Sequence, residues 1–324
     1  MIIVTGGAGF IGSVLVKELN NSGREDILIV DRLESDEKWK NLRNLSFIDY
    51  VQADEFIINE DERFWQDVDV IYHMGACSAT TETDVDYLWE NNVRYSQQLI
   101  AHALDFDIPI VYASSAATYG GGEAGYSDSH DDVKRLSPLN PYGYSKHYTD
   151  QWLLGLSEQP KQWYGVKFFN VFGPNEYHKD DMRSLVHKAF GQINETGKVK
   201  LFKSHKDGFK DGEQLRDFVY VRDVVKAMIG LVDTNATNGL YNLGTGHARS
   251  FYDLVSATFK ALGKEVNVEF VDMPLSIRDQ YQYFTQADMS KFKKALPDFS
   301  FMKLEDAVED YVKSYLLSES GSFY

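Results

Sequence analysis

The chain opens on Ile2-Ile3-Val4-Thr5, passes at once into Gly6-Gly7-Ala8-Gly9-Phe10-Ile11-Gly12, and continues with Val14, Leu15, Val16 and Leu19 at helical spacing. An apolar run, a glycine turn and a 3.6-period pattern read as strand, tight turn and helix, the order a dinucleotide site requires. Gly6 permits the turn, Gly9 lets the backbone approach a pyrophosphate, and Gly12 allows close helix packing, with the helix N-terminus facing the anion. Gly23 ends the helix, Ile27 to Val30 form a second strand, and Asp31 falls 19 residues after Gly12, where a carboxylate holds a ribose hydroxyl pair.

The alternation continues. Val68 to His73 reads as a strand leading into Met74-Gly75-Ala76-Cys77-Ser78, small residues suited to pass beneath a nucleotide. A helical pattern from Tyr87 to Leu104 carries Asn91 and Asn92; strands Ile108 to Ala113 and Val166 to Val171 follow. The expected fold is α/β, a Rossmann-like doubly wound parallel sheet with a smaller, interleaved α/β carboxyl-terminal lobe. Residues 1–171 form the dinucleotide-binding domain, with 217–245 returning to it through strands Phe218 to Val221 and Leu240 to Leu243. Residues 172–216 and 246–324 form the substrate lobe, with helices Met182 to Gly197 and Leu304 to Leu317, a strand Val266 to Val271, and a mobile loop Lys203 to Gln214.

In Asn140-Pro141-Tyr142-Gly143-Tyr144-Ser145-Lys146, Tyr142 and Lys146 stand four apart and share a helix face. The ammonium can lower the phenol's pKa, making Tyr142 an acid/base for a substrate hydroxyl. A bare pair of this kind is usually an exposed feature of an ordinary helix. Position changes the weighting: Ser115 ends a strand and Tyr142 begins the next helix, beyond the same strand ends as Gly6, Asp31 and Gly75. Tyr144 has Tyr148 four residues on and lacks such a partner.

The net charge of −16 opposes binding to nucleic acid or anionic membranes. No apolar stretch is long enough to span a bilayer and no leader precedes Ile2, so a cytoplasmic protein is expected. One cysteine, Cys77, excludes an internal disulfide framework, and the eight histidines form no metal-like pair. Against the acidic background Lys179, Arg183 and Lys188 cluster, with Arg216 and Arg278 further on, a set suited to an anionic small molecule. On its residues alone Lys179 reads as a phosphate-binding or surface lysine.

These motifs together resemble the extended short-chain dehydrogenase/reductases that act on nucleotide sugars, over essentially the full chain. Ser114-Ser115-Ala116-Ala117-Thr118-Tyr119-Gly120, Phe169-Asn170-Val171 and Arg216-Asp217-Phe218-Val219-Tyr220-Val221 also carry the likeness, and the segments Ala76-Cys77-Ser78, His178-Lys179 and Phe284-Thr285-Gln286-Ala287-Asp288 narrow it to a resemblance to the ADP-L-glycero-D-manno-heptose 6-epimerase family. The resemblance implies cofactor contacts from Phe10, Ile11, Asp31, Arg32, Lys38, Met74, Gly75, Ala76, Cys77, Ser78, Asn91, Lys146 and Val171. It gives proton transfer to Tyr142 and Lys179, with Ser115 on the reacting oxygen. Substrate contacts would come from Asn170, Asp181, Lys188, Phe202, Lys203, Ser204, His205, Arg216 and Tyr281. It also implies a homo-oligomer, a pentamer, and a role in heptose supply for the lipopolysaccharide inner core.

The chemistry expected is inversion of a sugar carbon by oxidation to a ketone and re-reduction, with no net use of cofactor. If the oxygen changes sides, a second proton donor is useful, and Lys179 desolvated beside a cationic nicotinamide can titrate near neutrality. NADP is the expected cofactor, from Arg32, Lys38 and the resemblance. NAD is the alternative, since Asp31 repels a 2′-phosphate and Ala53 replaces a lysine of relatives. Other departures are Asp181 for a serine, Lys188 for a histidine, and a longer loop before Arg216. The rival functions are a UDP-sugar 4-epimerase of the same superfamily, a 4,6-dehydratase, disfavoured by Ala116 and Ala117, and a non-catalytic dinucleotide-sensing regulator.

Overall fold

The computed structural model describes residues 1–35, 37–58, 61–278, 281–318 and 323–324. Its strands are β1 (Ile2–Thr5), β2 (Ile27–Asp31), β3 (Asp49–Gln52), β4 (Val70–His73), β5 (Ile110–Ser115), β6 (Trp163–Phe168), β7 (Asn170–Phe172), β8 (Val199–Phe202), β9 (Leu215–Tyr220), β10 (Gly239–Leu243), β11 (Ala248–Ser250) and β12 (Val268–Val271). Seven of them make one parallel sheet in the order β3-β2-β1-β4-β5-β6-β10. The order reverses between β1 and β4, so the segments after these two strands diverge and leave a crevice at their carboxyl ends.

The continuous apolar runs follow from burial on both faces. Ile2 and Val4 face one core with Val14, Leu15, Ile29, Tyr72 and, from the helix Val221–Asp233, Val224, Val225 and Met228. Ile3 points the other way and packs with Leu28, Val30, Ile71, Leu99, Ile100 and Leu153. Two further clusters lie under the helices Leu185–Thr196, Phe251–Ala261 and Leu304–Asp310, beside the small parallel pair β8 and β12.

Several elements depart from the sequence reading. The expected strand Val166 to Val171 is two: β6 ends at Phe168, and β7 leaves the main sheet to pair with β9. Phe218 to Val221, expected in the main sheet, therefore lies mostly in a second sheet of order β11-β9-β7, whereas Leu240 to Leu243 does join beside β6. What holds β9 there is the buried Asp217 carboxylate. It accepts the N–H groups of Thr245 (2.7 Å), Gly246 (2.9 Å) and Ala287 (3.0 Å), together with the Thr245 hydroxyl (2.7 Å). β3 carries no apolar run because it is a half-exposed edge strand. The helix expected from Tyr87 to Leu104 is Val85–Leu88 and Tyr95–Asp105 joined through a wider π-type turn, Trp89–Arg94, which carries Asn91 and Asn92. The loop expected to be mobile is pinned by Ser204 N–H to Asp211 (2.7 Å), His205 N–H to the Tyr283 hydroxyl (3.0 Å) and Gly212 N–H to the Phe202 carbonyl (3.2 Å).

Under the crevice, His73 bridges the Thr5 hydroxyl (2.7 Å) and the Ser96 hydroxyl (2.9 Å), joining β1, β4 and the helix Tyr95–Asp105. Burial, with Lys146 nearby, pushes its pKa down from 6.5 to about 3. A base depressed in the folded state contributes stability fully above its unfolded pKa, and that contribution falls as pH drops from 6.5 toward 3, where only the unfolded chain takes the proton. The urea midpoint of the wild type is therefore expected to drop more steeply across that window than that of His73→Gln. Parallel pH dependences would remove His73 from the account.

Candidate active site

Three backbone segments meet at the switch point at distances only glycine tolerates. A Cβ on Gly6, whose φ is +65°, would lie 2.6 Å from the Gly75 nitrogen, and one on Gly12 would lie 2.1 Å from the Gly6 carbonyl oxygen. The helix Phe10–Asn21 therefore starts against the turn. Its first turn has no side-chain cap and no acidic residue, so its N–H groups remain available to an anion. Above this turn lies a cleft of about 560 Å³, continuous in its lining with a second of about 200 Å³ through Gly6, Asp31, Lys38, Gly75 and Ala76.

Of the cofactor candidates, Gly6, Gly9, Phe10, Ile11, Gly12, Asp31, Lys38, Met74, Gly75, Ala76, Ser78, Lys146 and Val171 border the first cleft; Arg32, Cys77 and Asn91 border the second. Asp31 is 8% exposed and already oriented: it accepts from Ala8 N–H (2.9 Å), Arg32 N–H (2.7 Å) and the Lys38 ammonium (2.9 Å). Arg32 grips Asp54 through two nitrogens and donates to Asn91 (2.6 Å), which holds the Asp54 carboxyl down to about 2. Asn92 ties the segment beneath the clefts, accepting from Cys77 N–H (2.8 Å) and donating to the Cys77 carbonyl (3.1 Å) and the Ser145 hydroxyl (3.0 Å). The glycine cradle, the oriented carboxylate and the open helix N-terminus fit a nicotinamide dinucleotide.

The helix Pro141–Leu154 begins where Asn140 accepts Gly143 N–H at 2.7 Å and Pro141 supplies the preset first position. Tyr142 thus sits in the first turn, and with Lys146, Ser115 and Lys179 it borders the larger cleft. Burial lowers the Lys146 ammonium to about 8, against the opposing charges of Asp150 and Cys77. The expected effect of Lys146 on Tyr142 is not met: burial raises the phenol's pKa, and the hydroxyl of Ser115 is what opposes it. Lys179 lies 5.4 Å over the Phe10 ring, and burial lowers its pKa against the pull of Glu176. Glu176 is itself fixed by the Ser184 hydroxyl (2.6 Å) and N–H (2.5 Å).

The substrate candidates divide. Asn170 borders the larger cleft. Arg216, 7% exposed, lies 5.2 Å from the Tyr281 ring, whose own neighbours are Phe202 (6.4 Å) and Tyr283 (5.5 Å). His205 reaches Tyr283, Ser204 holds Asp211, and Lys203 pairs with Asp272 at 3.3 Å. That group sits in the smaller lobe, outside the cleft lining. Asp181 and Lys188 are both exposed there, joined by the Lys188 ammonium donating to the Asp181 carbonyl at 2.6 Å. Residues not anticipated also line the clefts. Tyr87 and Tyr95 flank Asn91 four residues either side, a spacing readable in the sequence, whereas Ala79, Thr80 and Met182 arrive through loop geometry that no pattern encodes.

Because a side chain at position 12 would collide with the turn, Gly12→Ala is expected to cost about 2–3 kcal/mol of stability and to abolish retention of bound dinucleotide. Denaturant unfolding and release of cofactor on denaturation read the two effects. Unchanged cofactor content would show that this contact does not shape the cleft.

Comparison with known proteins agrees with this geometry. Residues 2–244 match the NAD dependent epimerase/dehydratase family. An ADP-L-glycero-D-manno-heptose-6-epimerase of Fusobacterium nucleatum is 48% identical over 99% of both chains. The crystal structure of the Helicobacter pylori ADP-L-glycero-D-manno-heptose-6-epimerase superposes with a TM-score of 0.78 at 30% identity, covering 97% of this chain and 95% of that one. The Bacillus cereus UDP-glucuronic acid 4-epimerase, solved with UDP-glucuronic acid and NAD, gives 0.77 at 26% identity, covering 97% and 99%. With a dinucleotide cradle at its switch point and likeness along its whole length, the chain is an enzyme of the NAD dependent epimerase/dehydratase family.

Proposed function

We propose that the chain inverts C6 of the heptose in ADP-D-glycero-D-manno-heptose, supplying the L-glycero epimer for the lipopolysaccharide inner core. The observation that carries the reading is that two proton-carrying side chains from separate elements border one cleft. Tyr142 comes from the start of the helix Pro141–Leu154 and Lys179 from the segment Tyr177–Met182. A nicotinamide dinucleotide held by Gly6, Gly9, Gly12 and Asp31 would supply reversible hydride transfer at the sugar carbon, with no net consumption of cofactor. Tyr142, in its phenolate form, accepts the C6 hydroxyl proton while Ser115 hydrogen-bonds the oxygen, and the cycle closes when Tyr142 releases that proton to solvent and Lys179 takes one up. Lys146, buried beside them, keeps a positive charge at the start of the helix. When the ketone has turned about its exocyclic bond, Lys179 returns a proton to the oxygen in its new position. Burial suits it to this, because a depressed ammonium gives up its proton more readily. Asn170 at the cleft, with Arg216, Tyr281 and the segment Phe202 to His205 beyond it, would receive the ADP-sugar.

NADP is the cofactor we infer. Arg32 and Lys38 both border the smaller cleft, and the Arg32 guanidinium, held by Asp54 and Asn91, is partly exposed and would exchange Asp54 for a 2′-phosphate. A second reading, NAD, is favoured by the carboxylate already paired with each of these cations. The protein is proposed to act in the cytoplasm as a homo-oligomer, the pentamer that the resemblance implies; no described helix is long and apolar enough to cross a membrane.

Incubation with ADP-D-glycero-D-manno-heptose is expected to yield the epimer without net NADPH. Tyr142→Phe and Lys179→Met are each expected to slow it by roughly a hundredfold or more with the fold intact. Near-normal turnover by Lys179→Met would sink the two-base scheme, and turnover of UDP-galactose in place of the heptose would sink the substrate. For the cofactor, Arg32→Ala is expected to weaken NADP binding about tenfold, ~1.4 kcal/mol, and leave NAD nearly unchanged. Equal effects on both would favour NAD.

A further inference from the structure

Behind the cleft, and belonging to none of its candidate residues, lies an ion pair with no exposure on either side chain: the Lys167 ammonium stands 2.6 Å from Asp150. A completely buried pair costs desolvation at both ends, and satisfied partners must offset it. Here every visible partner belongs to the site's scaffold. Asp150 accepts the Tyr112 hydroxyl (2.9 Å) on one oxygen and the Ser114 hydroxyl (2.8 Å) on the other. Lys167 donates to the Thr118 hydroxyl (2.8 Å) and lies 5.2 Å from the Tyr119 ring. Tyr112 and Ser114 are the part of β5 that presents Ser115. Thr118 and Tyr119 belong to the turn Ala116–Tyr119, which Ser115 caps by accepting Ala117 N–H at 3.1 Å. Asp150 also stands one helical turn beyond Lys146 and two beyond Tyr142 on the face they share.

We propose that Asp150 and Lys167 are a positioning pair for the reaction: together they lock the strand end that carries Ser115 and set the electrostatic surroundings of Lys146 from beneath. The proposal rests on the reading of Tyr142, Lys146 and Ser115 as the proton-transfer group. The charged and titratable groups around Lys146 are few. Asp150 and Tyr142 lie on its own helix, Cys77 on the segment after β4, and His73, held neutral, at the end of β4. Asp150 is the carboxylate that favours the charged form of Lys146, and Lys167 is what tempers Asp150.

The two residues then predict opposite signs. Removing the carboxylate in Asp150→Asn leaves Lys146 easier to deprotonate; removing the competing cation in Lys167→Met leaves it harder. The test is titration of Lys146 by NMR in the full-length protein labelled with lysine carbon-13, the resonance being identified by its loss in Lys146→Met. The midpoint is expected to move down by about half a unit or more in Asp150→Asn and up in Lys167→Met, with the double variant between them. A purely structural pair would not move the midpoint in opposite directions, so equal midpoints or shifts of the same sign overturn the proposal. This readout needs no substrate, so it fails or succeeds separately from the heptose assignment.

Either single variant leaves a buried charge unpaired and is at risk of not folding. In that case the double variant Asp150→Asn/Lys167→Met decides, together with Lys167→Arg, which keeps the charge. The double variant is expected to lose at least about tenfold in kcat with little change in KM, and Lys167→Arg to recover most of it. Wild-type kcat in a folded double variant would overturn the positioning role.

Discussion

The structure depends on one close approach. Between β1 and the helix that follows, the backbone at Gly6 touches both Gly75 and Gly12, closer than any side chain permits. That contact sets where the first helix begins, and so where its open N–H groups point. It also sets how near the segment after β4 passes, and so the floor of the crevice. The reversal of strand order between β1 and β4 creates the crevice, but the glycines determine its depth.

Charge is organised around that floor by pairing and burial. In a chain of net charge −16, the lysines bordering the larger cleft are Lys38, paired with Asp31, and Lys146 and Lys179, both depressed by burial. Burial makes a lysine useful for proton transfer because the cost of desolvating an ammonium brings its pKa toward neutrality. The same burial raises the Tyr142 phenol from its ordinary 10.0 while it lowers Lys146 from 10.5 to about 8, so the two pKa values move apart, each group held toward its neutral form. Ser115 moderates the phenol, and the fully buried Asp150 and Lys167 pair lies beneath both.

Much of this was legible before the fold was known, wherever local pattern and burial coincide. Strands β1, β2 and β4 read as apolar runs because both their faces are covered, and Asp31 was placed by its distance from the glycine turn. The cofactor candidates were readable because strand ends and the turns after them converge in any sheet of this topology. β3 was illegible because an edge strand needs no apolar alternation. The division between β6 and β7 was illegible because both halves are apolar, and what separates them is pairing with β9, a strand far along the chain. Arg216 carried a motif, yet its neighbours Tyr281 and Phe202 meet it only through the packing of the smaller lobe.

By itself the sequence determined the alternating order of strands and helices, the glycine turn and the spacing of Tyr142 from Lys146, all of them short-range properties of a chain with fixed periodicities. Only the tertiary structure decided the electrostatic character of the site: that Lys146 is buried, that Tyr142 is raised and not lowered, that Arg32 and Lys38 already hold carboxylates, and that Asp150 and Lys167 meet with neither side chain exposed. The reason is that a pKa or an ion pair depends on desolvation and on partners distant in sequence, neither of which a local pattern records.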